Sequence, residues 1–239
     1  MNVERYKKKL NALKTTKPIP KLNQDPQCII DCKNLLDELF WTILNQNQDY
    51  GIKWMFGLQR YTNDKKRAIR KPFKDHLRRG HIIEVELFGH FNKELSFTHP
   101  AVVLHDNNSD WLLIAPISTP KYGSPDSLHI DVTPEDGLRH NSGICLDDIR
   151  VIDKHRVLYQ HVKEGIKQKL PSQKLNEIDS AILKHYLPFT YRYYNKIETE
   201  LEKERAEHNA LKKEYTEIQQ ELTLLKQTIQ TQEVAATKQ

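Results

Sequence analysis

Apolar positions along the chain fall into three regimes with different periods. Near the N-terminus, Val3, Tyr6, Leu10 and Leu13 recur at helical spacing with lysines on the opposite face. Pro18 and Pro20 end that pattern. A stronger helix is predicted next. Asp25 is a natural N-cap, Pro26 suits the first helical position, and Ile29, Cys32, Leu36, Phe40 and Ile43 line one side. The following stretch, YGIKWMFGLQRY, is aromatic and bracketed by glycines, and its pattern leaves helix and strand open.

From about Arg79 the period shortens. HIIEVELFG alternates as a half-buried strand does, while AVVLH and WLLIAPI are short, β-rich and joined by the turn-like DNNSD. SLHIDV and SGICLDDIRVID supply two or three more strands around the loop TPEDGLRHN. Pro171 and Ser172 then open a helix with Leu175, Ile178, Ile182 and Tyr186 on one side. Short, closely spaced strands followed by a helix predict a small, strongly curved antiparallel sheet.

Pro188 interrupts the helix, and a third period begins at Tyr194. Tyr194, Leu201, His208, Tyr215, Leu222 and Ile229 alternate with Ile197, Glu204, Leu211, Ile218 and Leu225 at three- and four-residue steps. This is a heptad pattern, and about five heptads make a rod on the order of 50 Å. His208 and Glu204 are polar residues at core positions and can set register or partner. The expected organisation is a helical extension over 1–77, a sheet domain over 78–187 and a coiled-coil helix over 188–239.

Composition sharpens this division. The net charge of +5 is mild, but Arg60 to Arg79 holds nine Lys or Arg against Asp64 and Asp75. Basic residues interleaved with Tyr61 and Phe73 suit a phosphate backbone with a ring stacked on a base, or equally a solvated basic linker. No apolar run is long enough to span a bilayer, and the first residues lack a signal-peptide core, so a cytoplasmic protein is expected. Three cysteines are too few for a disulfide framework. Cys28 and Cys32 have no second pair to complete a zinc site, and no metal or other cofactor is expected.

The middle region carries a resemblance. RRGHIIEVEL, Glu94, THPAVVL, LLIAPIS and SGICLDDIRVIDKHRV occur in order, and together they resemble the MazF/PemK family of toxin endoribonucleases. Arg79-Gly80, Glu94, His99-Pro100, Ile117-Ser118-Thr119 and Ile149-Arg150-Val151-Ile152-Asp153 with Arg156 fall on the family's motifs. The resemblance implies an α+β fold built on a small SH3-like antiparallel β-barrel, here with an N-terminal helical extension and a C-terminal coiled-coil helix. It also implies metal-independent cleavage of single-stranded RNA through a 2′,3′-cyclic phosphate, barrel-mediated homodimers and an antitoxin partner.

Two departures bear on that chemistry. His99 stands where the family has arginine before proline, and Asp148 stands where relatives carry glutamine. A histidine titrates near neutrality and can move the proton, yet it lacks the fixed charge and forked donors of arginine. Two functions therefore compete: an active endoribonuclease, and an inactive module that binds nucleic acid or protein and is assembled by the coiled coil. On the first, His99 is the acid–base group, Ser118 a supporting donor and Glu94 the residue that orients His99. His81, His90 and His105 are rival proton carriers, and Arg150 and Asp153 are expected to pair structurally. Arg67, Arg70, Lys71, Lys74, Arg78, Arg79 and Thr119 are the candidate RNA contacts. The apolar N-terminal helix Pro26–Leu44 can pack on the barrel, bind a partner, or cover the RNA groove in cis as an inhibitory segment.

Overall fold

The computed structural model describes residues 1–66, 73 and 75–236. Three helices come first: α1 (Val3–Leu13), α2 (Pro26–Leu44) and α3 (Gln48–Lys65). Asp25 caps α2 as the sequence predicts, its side chain accepting a hydrogen bond from the Cys28 amide at 3.0 Å. The ambiguous YGIKWMFGLQRY is helical and lies inside α3. α1 and α2 are held together by polar contacts, Tyr6 Oη donating to Asp31 Oδ2 at 2.7 Å and Lys9 pairing with Asp25. The apolar face of α2 stays exposed, with Leu36, Phe40 and Trp41 open to solvent, so this helix does not pack on the sheet.

The strands follow as β1 (Ile82–Glu86), β2 (Thr98–Asp106), β3 (Trp111–Ser118), β4 (His129–Val132), β5 (Ser142–Cys145), β6 (Arg150–Asp153), β7 (Val157–Gln160), β8 (Val162–Lys163) and β9 (Ile166–Lys167). The main sheet is antiparallel and runs β4-β5-β3-β2-β1-β7, while β6 also pairs with β3. β3 therefore serves two half-sheets, joining β6 over Trp111–Ile114 and β5 over Ile117–Ser118. Only the short turn Lys154–Arg156 separates β6 from β7, which lie at opposite edges of β1–β3. Crossing so far in so few residues requires the sheet to roll, giving an open SH3-like barrel.

Both faces of β2 and β3 are buried, which explains why AVVLH and WLLIAPI read as apolar runs, and β1, which alternates in sequence as a half-buried strand, is buried on both faces too. Ile82, Val102, Ala115, Ile117 and Ile144 share one core with Leu175 and Ile178 of α4 (Ser172–Tyr186). Ile83, Val85, Ala101, Val103 and Ile114 build the second core, with Leu77 and Phe73 packed into it. A buried ion pair ties the far end of β2 to the β6–β7 turn, Lys154 Nζ lying 2.9 Å from Asp106 Oδ1. The predicted face of α4 is the one that packs, and Tyr186 Oη donates to the Leu146 carbonyl at 2.7 Å.

Leu187 separates α4 from α5 (Pro188–Ala236), so Pro188 begins a new helix instead of interrupting one. At 1.5 Å per residue α5 is roughly 74 Å long. Ile197, Leu201, Leu211, Tyr215, Ile218, Leu222 and Leu225 of the heptad pattern are all exposed along it.

Ile178 is fully buried where α4 meets the first core. Truncating Ile178 to Ala is expected to cost about 2–5 kcal/mol of unfolding free energy, measured by urea denaturation. A loss below about 1 kcal/mol would mean that α4 is not part of the cooperative core.

Candidate functional site

His99 enters β2 opposite Val85 of β1. The β2–β3 ladder pairs Ala101 with Pro116 and Val102 with Ala115. Continued two residues, the same register brings His99 across from Ser118, on the face of the sheet that carries Ala101 and Val103. Ser118 is the last residue of β3 and is 6% exposed. It stands opposite Gly143 of β5, where a Cβ would lie 2.7 Å from the Lys121 carbonyl oxygen. The chain crossing beyond Ser118 thus leaves no room for a side chain at Gly143.

The His99 imidazole is half-buried, with the Ile117 and Ser96 backbone beside it. Burial pushes its pKa below the ordinary 6.5, against the opposing influence of the Ile117 backbone, Glu84, the Ser96 backbone and Asp148. Near neutral pH it is consequently an uncharged imidazole, able to accept a proton. Just before it, Phe97 adopts a positive φ of 65°, uncommon for an aromatic residue. Strain of this kind persists where surrounding contacts fix it. Here they are the Leu87 amide, which donates to the Phe97 carbonyl at 2.7 Å, and the Tyr50 ring, 5.3 Å from that of Phe97.

The expected orienting residue is not where sequence order suggests. Glu94 is exposed and closes its own turn, its Oε2 accepting from the Phe91 amide at 3.1 Å. The carboxylates whose charge reaches His99 are Glu84 and Asp148. Glu84 lies 2.7 Å from His161 Nε2, while Asp148 accepts from the Leu95 amide at 2.9 Å and pairs with Arg150. Arg150 therefore pairs with Asp148, correcting the expected Arg150–Asp153 pair, and Asp153 instead holds His155 at 2.7 Å. Sequence reading flagged Asp148 only as a departure from a motif. Its neighbour Arg150, two positions on with opposite charge, was the available signal.

The rival histidines have other surroundings. His81 accepts from the Arg78 amide at 3.0 Å, His90 stands edge-on to Phe97, and His105 is exposed beside the β2–β3 register shift. Among the candidate RNA contacts, Arg79 is already engaged, 2.5 Å from Asp179 and donating to the Leu175 carbonyl. Arg78 is exposed, and Thr119 Oγ1 lies 3.3 Å from Ser142 Oγ. Arg67, Arg70, Lys71 and Lys74 lie outside the described residues.

α3 contributes cations that the sequence assigned to a linker. Arg60, Tyr61 and Lys65 line a cavity of about 260 Å³ with Glu86, Phe88 and Arg156. Arg156 donates to the Glu86 and Phe88 carbonyls, both at 3.0 Å, and Arg60 donates to the His155 carbonyl at 2.5 Å. α3 thereby seals the start of the β1–β2 connection. Trp54 and Phe88 meet edge to face at 5.2 Å, and a Cβ on Gly57 would lie 2.2 Å from the Phe88 ring.

Comparisons with known proteins address the middle region. A family profile described as PemK-like, MazF-like toxin of type II toxin-antitoxin system matches residues 78–186. Among solved structures, the chain is similar to MazF from Deinococcus radiodurans at 18% identity, over 46% of this chain and 96% of that one, with a TM-score of 0.37. The toxin MazF-mt6 of Mycobacterium tuberculosis is similar at 17% identity, over 44% of this chain and 95% of that one, with a TM-score of 0.35. Comparison with curated protein sequences gives no match. The matched span takes in β1 to β9 and α4, so it is the sheet domain with its helix that matches the PemK-like, MazF-like toxin family.

Proposed function

We propose that this protein is a metal-independent endoribonuclease acting on single-stranded RNA. The observation that carries the reading is the half-buried imidazole of His99, set by register across from the Ser118 hydroxyl. In the proposed step, neutral His99 takes the proton from a ribose 2′-hydroxyl, and the 2′ oxygen attacks the adjacent phosphorus. The bond to the 5′ oxygen breaks, that oxygen takes a proton from solvent, and the products carry a 2′,3′-cyclic phosphate and a 5′-hydroxyl. Ser118 donates to a non-bridging phosphoryl oxygen. Arg150, which pairs with Asp148, supplies in this reading the positive field that an arginine at position 99 would have given. Asp148, not Glu94, is the group that orients this arrangement.

The protein acts in the cytoplasm in this reading, as a homodimer formed through the barrel and extended by the heptads of α5. Arg78, Thr119 and the basic segment before β1 track the RNA backbone. An antitoxin is the expected partner, and α3 acts in cis as a partial restraint. Its support is the packing of Tyr50, Trp54 and Gly57 on Phe97 and Phe88, at the two ends of the connection that leads into His99. The competing reading is a binding module without catalysis, favoured by the absence of arginine at position 99.

His99→Ala is expected to lower the rate of RNA cleavage in chelator by about 10²–10⁴-fold, and Ser118→Ala by less. Equal cleavage by wild type and His99→Ala would remove His99 from the mechanism. The pH dependence has a definite sign. The base form of His99 is lost as pH falls through its folded pKa, which lies below 6.5. The acid limb of kcat/KM should therefore have its midpoint below 6.5, and a midpoint above that value would contradict the assignment.

Gly57→Val tests the restraint, because any side chain there forces α3 off Phe88. Cleavage should rise by about 5-fold or more if docking and activity are coupled. Unchanged or lower cleavage would exclude α3 as an inhibitor.

A further inference from the structure

Antiparallel pairing brings together three side chains that lie apart in sequence. His129 of β4 and Cys145 of β5 are direct cross-strand partners, so their side chains emerge from the same face of the sheet. Asp147 follows in the short turn after β5. His129 Nε2, Cys145 Sγ and an Asp147 carboxylate oxygen all lie within 4.8 Å of one another. We propose that these three residues form a binding site for a divalent transition metal of the zinc class, with solvent as the fourth ligand on the Asp147 side.

Three observations converge on a cation. First, the His129 side chain is only 3% exposed, and its Nε2 has no hydrogen-bond partner although Asp147 Oδ1 is 3.2 Å away. A buried imidazole nitrogen without a partner is costly, and ligation removes that cost. Its other nitrogen, Nδ1, is 2.8 Å from Ser124 Oγ, the second contact that fixes a metal-binding imidazole in one orientation. Second, the spacing is right. Tetrahedral bonds of about 2.0–2.1 Å put nitrogen and oxygen ligands roughly 3.3 Å apart, close to the separation of Nε2 and Oδ1. Third, the donor set of imidazole, thiolate and carboxylate is one that zinc and cobalt(II) accept, whereas calcium and magnesium prefer oxygen alone.

Cys145 is 1% exposed, and its thiol points to the Gly143 carbonyl at 3.6 Å. Burial, with Asp147 adding to it, pushes that thiol up to about 12, with Lys121 opposing. Without a cation the sulfur therefore keeps its proton. Metal binding forms the metal–sulfur bond and releases that proton to solvent, leaving the oxidation state of every atom unchanged. The inference does not depend on ribonuclease activity. It does touch the same region, because Asp147 precedes Asp148, the residue that holds the Leu95 amide and Arg150. Among these three positions only Cys145 and Asp147 are neighbours in sequence, which is why residue spacing gave no sign of a metal set.

The test is titration of the metal-free, reduced full chain with cobalt(II) alone, followed by absorption spectroscopy. The expected result is one cobalt per chain, with a tetrahedral visible spectrum and a near-ultraviolet sulfur-to-cobalt band. Cys145→Ser should abolish that band, while a Cys28→Ser/Cys32→Ser double variant should keep it. Asp147→Asn, at an exposed side chain, should weaken cobalt binding by at least about tenfold. Absence of the band in wild type, its survival in Cys145→Ser, or unchanged affinity in Asp147→Asn would each overturn the proposal.

Discussion

The antiparallel ladder between β2 and β3 is the constraint on which the rest of the molecule depends. Its register pairs Ala101 with Pro116, Val102 with Ala115 and Val103 with Ile114. A slip of one residue would reverse the faces of every side chain, moving Val102 and Ala115 out of one core and Val103 and Ile114 out of the other. Because both faces are buried, such a slip would exchange the side chains of the two cores, and the fit of their shapes selects the register. Continued two residues beyond the Ala101–Pro116 pair, the same register points His99 toward Ser118, so the placing of both residues depends on burial farther along the strands.

Much of this was legible in the sequence, for reasons that differ by element. β2 and β3 announced themselves because a strand buried on both faces must be apolar nearly throughout, whereas β1 was found from its alternation. α2 was legible from its cap, since Asp25 and Pro26 are chemically suited to those positions whatever surrounds them. The segment around Gly57 was not, because a glycine in a helix normally signals weakness. Its presence in α3 makes sense only once the Phe88 ring is seen against it. Sequence order also misassigned the partner of Arg150, which is Asp148 through a local turn and not Asp153 along the strand. Glu94 was singled out by motif position, but its turn directs the carboxylate to the Phe91 amide, and His99 takes its electrostatic surroundings from β1 and from the turn after β5.

The two flanks show how a small curved sheet acquires context. α3 engages the β1–β2 connection through aromatic edges and the β6–β7 turn through Arg60, which donates to the His155 carbonyl. α5 leaves heptad positions from Tyr194 to Leu225 exposed, and the exposed ones belong to neither core. Such a stripe is the kind of surface that a coiled coil buries. The cluster of His129, Cys145 and Asp147 belongs to a third zone, the β4–β5 half-sheet, which meets the site where Gly143 stands opposite Ser118 and through the turn that also carries Asp148.

The central claim is that the β2–β3 register assembles a ribonucleolytic site in which histidine replaces arginine. It is tested most directly by identifying the ends left on a single-stranded RNA incubated with the full chain and with Gly57→Val, both in excess chelator. The account predicts fragments bearing 2′,3′-cyclic phosphate and 5′-hydroxyl termini, formed by both proteins and missing when His99 is replaced by Asn. Intact RNA with both proteins, or fragments ending in 5′-phosphate, would contradict it.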